Sequence, residues 1–360
     1  MPEVDGLRFL AITWVVLGHV WYYWSGTFSA DKLRQAGWSE SFTVMMQHNG
    51  VGVLLFFAIS GYVLALPFAN TDYTKTISLR NYYLRRLVRI EPPYFIVMTA
   101  IFLLYVFTDS HNLLRYGPHY AASMVYAHNL LLPADSGLNA VAWSLEIEVQ
   151  FYLLAPLFFR VFLLSAQRRN ALLAVGIILF SILPLLWNPG VRTLYSYVSF
   201  FLIGVLLAGL RQDGLFHARL TRTVWLVSTG AAIAACAALG PLGYILPQKT
   251  YELITPLCIA AVMTAALAPT PVRRLFCWSP LAIIGGMCYS IYLTHSLLLA
   301  GATGQGWYPS AGEPSWWAFA VASLVLCSAV LATGAVVYKM LEQPFMRLSA
   351  RYRLRTPTRL

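Results

Sequence analysis

Leu7-Arg8-Phe9-Leu10-Ala11-Ile12-Thr13-Trp14-Val15-Val16-Leu17-Gly18-His19-Val20-Trp21-Tyr22-Tyr23-Trp24 decides what kind of protein this is. A helix needs about 20 mainly apolar residues to cross a bilayer core of about 30 Å, and this run comes close to that length. It closes on four aromatic residues, Trp21 to Trp24, the kind of anchor that sits at a membrane-water interface. No small-residue cleavage site follows, so the run reads as a retained span and not as a signal peptide.

The rest of the 360-residue chain has the same character. Hydrophobic residues make up 59% and charged residues 11%, with a mean hydropathy of +0.64. A soluble domain carries about 25% charged residues to solvate its surface, so a soluble globular chain is excluded. Nine further runs, 51–68, 93–108, 145–164, 171–187, 194–210, 224–240, 253–268, 281–300 and 316–341, suit spans. The run 120–132 is shorter, contains His128 and Asn129, and reads as one interfacial or re-entrant helix. The fold class expected is therefore an all-α integral membrane protein of about ten transmembrane helices. Cys236, Cys258, Cys277, Cys288 and Cys327 form no CxxC pair and read as packing residues.

The basic residues test this topology, because they were not used to choose the spans. Successive segments on one side hold one, five, three, three, two and six of them, 20 in all, and the other side holds 5. The positive-inside rule then puts both termini in the cytoplasm. The same placement assigns the net charge of +11 to topology and not to nucleic-acid binding. No internal repeat or Gly/Ser linker divides the chain, so 1–360 is expected to be a single domain.

Ionisable residues inside spans are costly and mark candidate sites. His19 lies eleven residues after Arg8, about 16 Å along a helix, which brings it near mid-membrane. The plain alternative is a core histidine bonded to a neighbouring helix. Glu146 and Glu148, in Trp143-Ser144-Leu145-Glu146-Ile147-Glu148-Val149-Gln150-Phe151-Tyr152, point to opposite helix faces, so one of them serves a site and the other a structural contact. A carboxylate that orients an imidazole makes it a general base, and His19 with Glu148 is such a pair if the helices bring them together. Arg85 and Arg89 share a helix face at i, i+4 beside Arg86. Guanidinium groups suit phosphate, but an arginine cluster on this side also serves topology. Ser60-Gly61 reads as small-residue helix packing, and His295 as a polar helix contact.

Taken in order, these residues resemble the acyltransferase family 3 membrane proteins. Arg8 and His19 match that family's Arg-x10-His signature. Phe56 to Tyr62 is similar to its FFxxSGF element, Arg86 to Tyr94 to RxxRIxPxY, Trp143 to Tyr152 to WSLxxExxFY, Tyr289 to His295 to YxxYLxH, and Glu342-x-Pro344 to ExP. In that alignment Glu148, not Glu146, takes the glutamate position. The resemblance implies ten membrane helices and an O-acyltransferase, most often an O-acetyltransferase. Such an enzyme takes an acyl group from cytoplasmic acyl-CoA and places it on a hydroxyl of a cell-surface glycan, glycolipid or exopolysaccharide. It implies His19 as catalytic residue, Arg8 as its essential partner, and Arg86 and Arg89 as holding the CoA phosphates; the residue reading adds Glu148 to the catalytic candidates and Arg85 to the arginines expected around the phosphates. Ser60, Trp143, Ser144, Tyr152, His295 and Glu342 are further candidate site residues.

No metal site and no bound cofactor are expected, because the thioester supplies an activated acyl group. The expected partners are acyl-CoA, a saccharide or glycolipid acceptor and membrane lipid, without nucleic acid; a homo-oligomer is left open. The expected location is the cytoplasmic (inner) membrane. Some relatives carry an appended SGNH domain; none is expected here, nor an N-terminal soluble domain. The alternatives are acylation of a small secondary metabolite such as a macrolide and, in a different class, a lipid-linked sugar transporter or flippase.

Overall fold

The computed structural model describes residues 1–69, 77–108, 112–132, 138–214, 216, 229–232, 234–235, 246–269, 271–304 and 314–352. Every regular element among them is helical. The chain forms two compact units, Met1–Phe56 with Phe216–Val336 and Phe57–Leu215 with Val337–Leu360. In order the helices are α1 (Pro2–Ser25), α2 (Ala30–Gln35), α3 (Glu40–Gln47), α4 (Gly50–Ala69), α5 (Leu79–Thr108), α6 (Asn112–Met124), α7 (His128–Leu131) and α8 (Trp143–Phe158). Then follow α9 (Ala166–Leu186), α10 (Val198–Gln212), α11 (Gln248–Leu267), α12 (Pro271–Phe276), α13 (Ser279–Gly286), α14 (Cys288–Gly304), α15 (Trp316–Val337) and α16 (Gln343–Ser349). Two of the three unit boundaries fall inside α4 and at the end of α15.

Among the described residues six helices are long and apolar enough to cross a membrane: α1, α3 continuing into α4, α5, α9, α11, and α15 continuing to Ser349. A seventh results if α13 and α14, bent by 68° at Met287, are one span. The protein is thus a multi-pass, all-helical membrane protein, and six of the ten expected runs are long single spans. The run 281–300 is the bent pair. The run 145–164 folds as the 16-residue α8 followed by a 3-10 turn, Phe159–Leu163. The run 194–210 is the 15-residue α10 after the 3-10 turn Leu194–Ser196. Most of 224–240 lies outside the described residues, as does Cys236; the other four cysteines are free thiols.

The run 120–132 is not one helix. Tyr126 takes a positive φ of 53°, its amide donates to the Ser123 carbonyl, and the Ala127 amide donates to Ala122. That pair of bonds is the Schellman closure, which ends α6 and satisfies its last carbonyls before α7 starts. Periodicity carried no sign of it, since glycine or asparagine usually marks the left-handed position.

In the first unit α1 is the central element and packs against α3, α11, α12, α13 and α14. Pro2 in its first turn needs no N–H partner, and Glu3 and Asp5 there suit the positive end of the helix dipole. Arg273 of α12 reaches Glu3 at 3.4 Å. The α13 backbone comes so close to α1 that a Cβ on Gly285 would lie 1.7 Å from the Asp5 carbonyl oxygen. At its far end α1 contributes Trp21 and Trp24 to an aromatic cluster with Trp38, Phe42, Trp316 and Phe319, in which Trp38 and Trp316 stack with centroids 3.8 Å apart.

In the second unit α4 and α10 cross at glycine. A Cβ on Gly204 would lie 2.0 Å from the Ala58 carbonyl oxygen and 2.3 Å from the Tyr62 amide. Such crossings let apolar helices gain dispersion contacts where lipid offers no hydrophobic drive. Stacked rings of Phe57, Phe201 and Phe151 continue the contact toward α8. Buried Arg169 ties α9 to α10 through Asp213 and the Gly209 carbonyl. A π turn, Tyr338–Glu342, and α16 pack on α5.

Gly285 and its neighbour Gly286 provide a paired test, because nothing lies within 4 Å of a Cβ at Gly286. Gly285→Ala should destabilise the detergent-solubilised protein by about 1–3 kcal/mol through overpacking. Gly286→Ala should leave the melting temperature unchanged or slightly raised. Thermal melts followed by size-exclusion chromatography read both.

Candidate active site

A single uninterrupted helix, α1, carries Arg8 and His19. Eleven residues at about 100° each bring the second side chain within about 20° of the first, three turns and about 16 Å further along. The spacing therefore puts both on one face. The Arg8 guanidinium is held at 2.7 Å by Asp5, one turn back.

His19 is half-buried. Its Nδ1 lies 2.9 Å from the Val15 carbonyl oxygen and 3.3 Å from Nε2 of His295 on α14. The two rings meet edge to face, centroids 5.0 Å apart. His295 is 0% exposed, and its own Nδ1 faces the Tyr292 carbonyl at 2.8 Å and the Ile291 carbonyl at 3.2 Å. The bend between α13 and α14, anchored by the Gly285 contact, sets the path of the helix that carries His295. Within this unit the imidazole partner of His19 is thus a second imidazole.

Glu148 belongs to the second unit, where its Oε1 accepts hydrogen bonds from the Ser60 hydroxyl and the Tyr152 phenol. Ser60 on α4 is therefore more than a small residue at a helix crossing. Tyr152 follows Glu148 by one helical turn, so the WSLxxExxFY spacing itself delivers the phenol to the carboxylate. Above the Tyr152 ring, at 5.9 Å from its centroid, lies the Arg86 guanidinium. Its Nε is buried and has no hydrogen-bond partner among the described residues. Arg85, Arg86 and Arg89 follow one another within little more than a turn of α5. The π turn packed on that helix carries Glu342, 1% exposed.

Glu146, on the opposite face of α8, is 1% exposed and accepts the Asn129 backbone N–H at 2.7 Å. It holds the start of α7, while the Asn129 side chain donates to the Trp143 carbonyl. The two glutamates two residues apart thus have separate partners, as their opposed directions require. Trp143 packs on Phe57 and Tyr197 under the Arg192 guanidinium. Ser144 is buried, with its hydroxyl 3.4 Å from the Val141 carbonyl.

Three features escaped the sequence reading. His119 and His128 face each other at 2.8 Å between ring nitrogens; they are nine residues apart across the Schellman turn, a separation with no helical period. Arg211 donates to the Tyr62 hydroxyl at 2.7 Å, a contact across 149 residues. The His19–His295 contact spans 276 residues, although both histidines had been singled out separately.

Two hydroxyls on one carboxylate oxygen should behave as a unit. Ser60→Ala and Tyr152→Phe are expected to be non-additive, with a coupling of about 0.5–3 kcal/mol in a double-mutant cycle of thermal melts. Additive effects would show that the hydroxyls act separately.

No solved structure matches the chain. A family model described as acyltransferase domain matches residues 1–333. Among similar sequences, the Putative O-acetyltransferase of Staphylococcus aureus strain MSSA476 is 24% identical over 96% of this chain and 57% of its own length. Peptidoglycan O-acetyltransferase OatA of Listeria monocytogenes is 24% identical over 82% of this chain and 49% of its own. Nose resistant to fluoxetine protein 6 of Caenorhabditis elegans is 28% identical over 50% and 24%. The chain spans about half the length of the first two. With nearly its whole length inside the family match, the chain belongs to the acyltransferase family 3.

Proposed function

We propose that this chain is a membrane O-acyltransferase that moves an acetyl group from cytoplasmic acetyl-CoA to a hydroxyl of a cell-surface glycan. The observation that carries the reading is His19, set in an apolar helix and in contact with His295, on the helix face it shares with Arg8. The acceptor class rests on the Listeria relative, whose name assigns it O-acetylation of peptidoglycan.

In this reading His19 takes the proton of the acceptor hydroxyl as its oxygen bonds to the thioester carbonyl carbon. The carbon–sulfur bond then breaks, and the His19 imidazolium returns that proton to the departing CoA sulfur. The tetrahedral intermediate carries an oxyanion; Arg8, about 16 Å away along the same helix face, would act on anionic groups of the donor further from the reacting carbon. Arg85, Arg86 and Arg89 would hold the phosphates of CoA: three guanidinium groups crowded on one helix repel one another, and an anion relieves that. The buried Nε of Arg86 supports this, since a donor without an acceptor is costly. Ten spans, cytoplasmic termini and an inner-membrane location complete the proposal, supported by the 20-to-5 division of basic residues.

Transfer of radiolabelled acetyl from acetyl-CoA in membrane vesicles tests the base. His19→Ala should lower it by about 10²- to 10⁴-fold without loss of insertion; full transfer by a well-inserted variant would sink the assignment. Arg86→Gln with Arg89→Gln should raise the KM for acetyl-CoA, and added salt should raise it in the wild type, since exposed phosphate contacts are screened over about 8–10 Å. A KM indifferent to both would return the arginines to topology alone.

A further inference from the structure

The contact between the two imidazoles fixes where their protons lie. A carbonyl oxygen only accepts, and Val15 O is 2.9 Å from Nδ1 of His19 while Tyr292 O is 2.8 Å from Nδ1 of His295. Both Nδ1 atoms therefore carry a proton. A neutral His295 then has a bare Nε2, and that is the atom 3.3 Å from His19 Nδ1. The bond between the rings runs from His19 to His295, shared with the Val15 carbonyl. The nitrogen left with a lone pair on His19 is Nε2, where a base must have it.

We propose that His295 is the positioning residue of His19, holding it in the Nδ1–H tautomer and facing it with a lone pair when Nε2 takes up a proton. The inference rests on His19 acting as base. In a Ser-His-Asp triad a carboxylate does this work. Here a neutral imidazole does it, and inside a bilayer that avoids the cost of an extra anion beside the base. The Val15 carbonyl has a second lone pair and accepts the same Nδ1 proton beside the residue 19 backbone N–H, but it lies on the helix that carries His19, whereas Nε2 of His295 is the acceptor that holds the ring against α14. His295 is itself locked: it is 0% exposed, and two carbonyls of its own helix face its Nδ1. Such a ring has no second tautomer to offer without losing both contacts.

Nitrogen-15 spectra of the whole protein in nanodiscs, labelled at histidine, read the tautomers directly. Among seven histidines, His19→Gln and His295→Gln assign the two signals. The expected result is a protonated Nδ1 and a bare Nε2 on both rings. An Nε2–H tautomer on either ring overturns the proposal without any variant having to be active. Kinetics supply the second arm. His295→Leu should lower kcat by about tenfold to a hundredfold, with KM for donor and acceptor changed less than twofold. His295→Gln should recover most of it, because its amide oxygen accepts where Nε2 did. Equal rates for the Leu and Gln variants would overturn the role. Full transfer by His19→Gln would sink the reading of His19 as base and this role with it, whereas an Nε2–H tautomer sinks the positioning role alone.

Discussion

A polar side chain inside a lipid-embedded bundle must find its partner within the protein, and in this chain the nearest partner is usually the backbone carbonyl one turn earlier. His19, Ser181, Thr255, Thr264, Thr294 and Thr303 all bond to the carbonyl of residue i−4. For the hydroxyls this is only satisfaction. For the His19 imidazole it also favours a proton on Nδ1, the nitrogen that faces His295, so the ordinary solvation of a membrane helix and the imidazole of α14 act on the same proton.

The same constraint explains the different fates of two glutamates on α8. A buried carboxylate needs donors, and those available on the two faces differ in kind. Glu146 meets a main-chain amide at the start of α7, a donor whose loss would open a helix end. Glu148 meets two hydroxyls, which can rotate and re-aim. A carboxylate oxygen held by hydroxyls can exchange those partners without unfolding anything.

Much of this organisation was legible in the chain. Among the described residues the long apolar runs are helical, and the opposition of Glu146 and Glu148 followed from two steps of about 100°. Arg8 and His19 were legible as a pair because their spacing is local to one helix. Less legible were features set by packing between distant segments. Gly285 seats α13 against Asp5, and nothing around Gly285 in the sequence announces that contact. The bend at Met287 was hidden inside a continuous apolar run, since hydropathy reports length in apolar residues and not direction. The runs 145–164 and 194–210 overstated their helices because 3-10 turns count toward an apolar window as readily as α-helix does. Within their own units Glu148 meets the Ser60 hydroxyl and His19 meets the His295 imidazole, contacts between distant segments that spacing does not announce.

The one-face arrangement of Arg8 and His19 also determines what kinds of change the first helix can absorb. Replacing one apolar residue by another between them alters packing by a methylene or two and leaves the register alone. Inserting or deleting a single residue rotates everything beyond it by about 100° and shifts it by about 1.5 Å, turning His19 away from both Arg8 and α14. The segment is tolerant of spelling and intolerant of length. Its ten intervening positions work as a ruler whose graduations matter more than the material from which it is made.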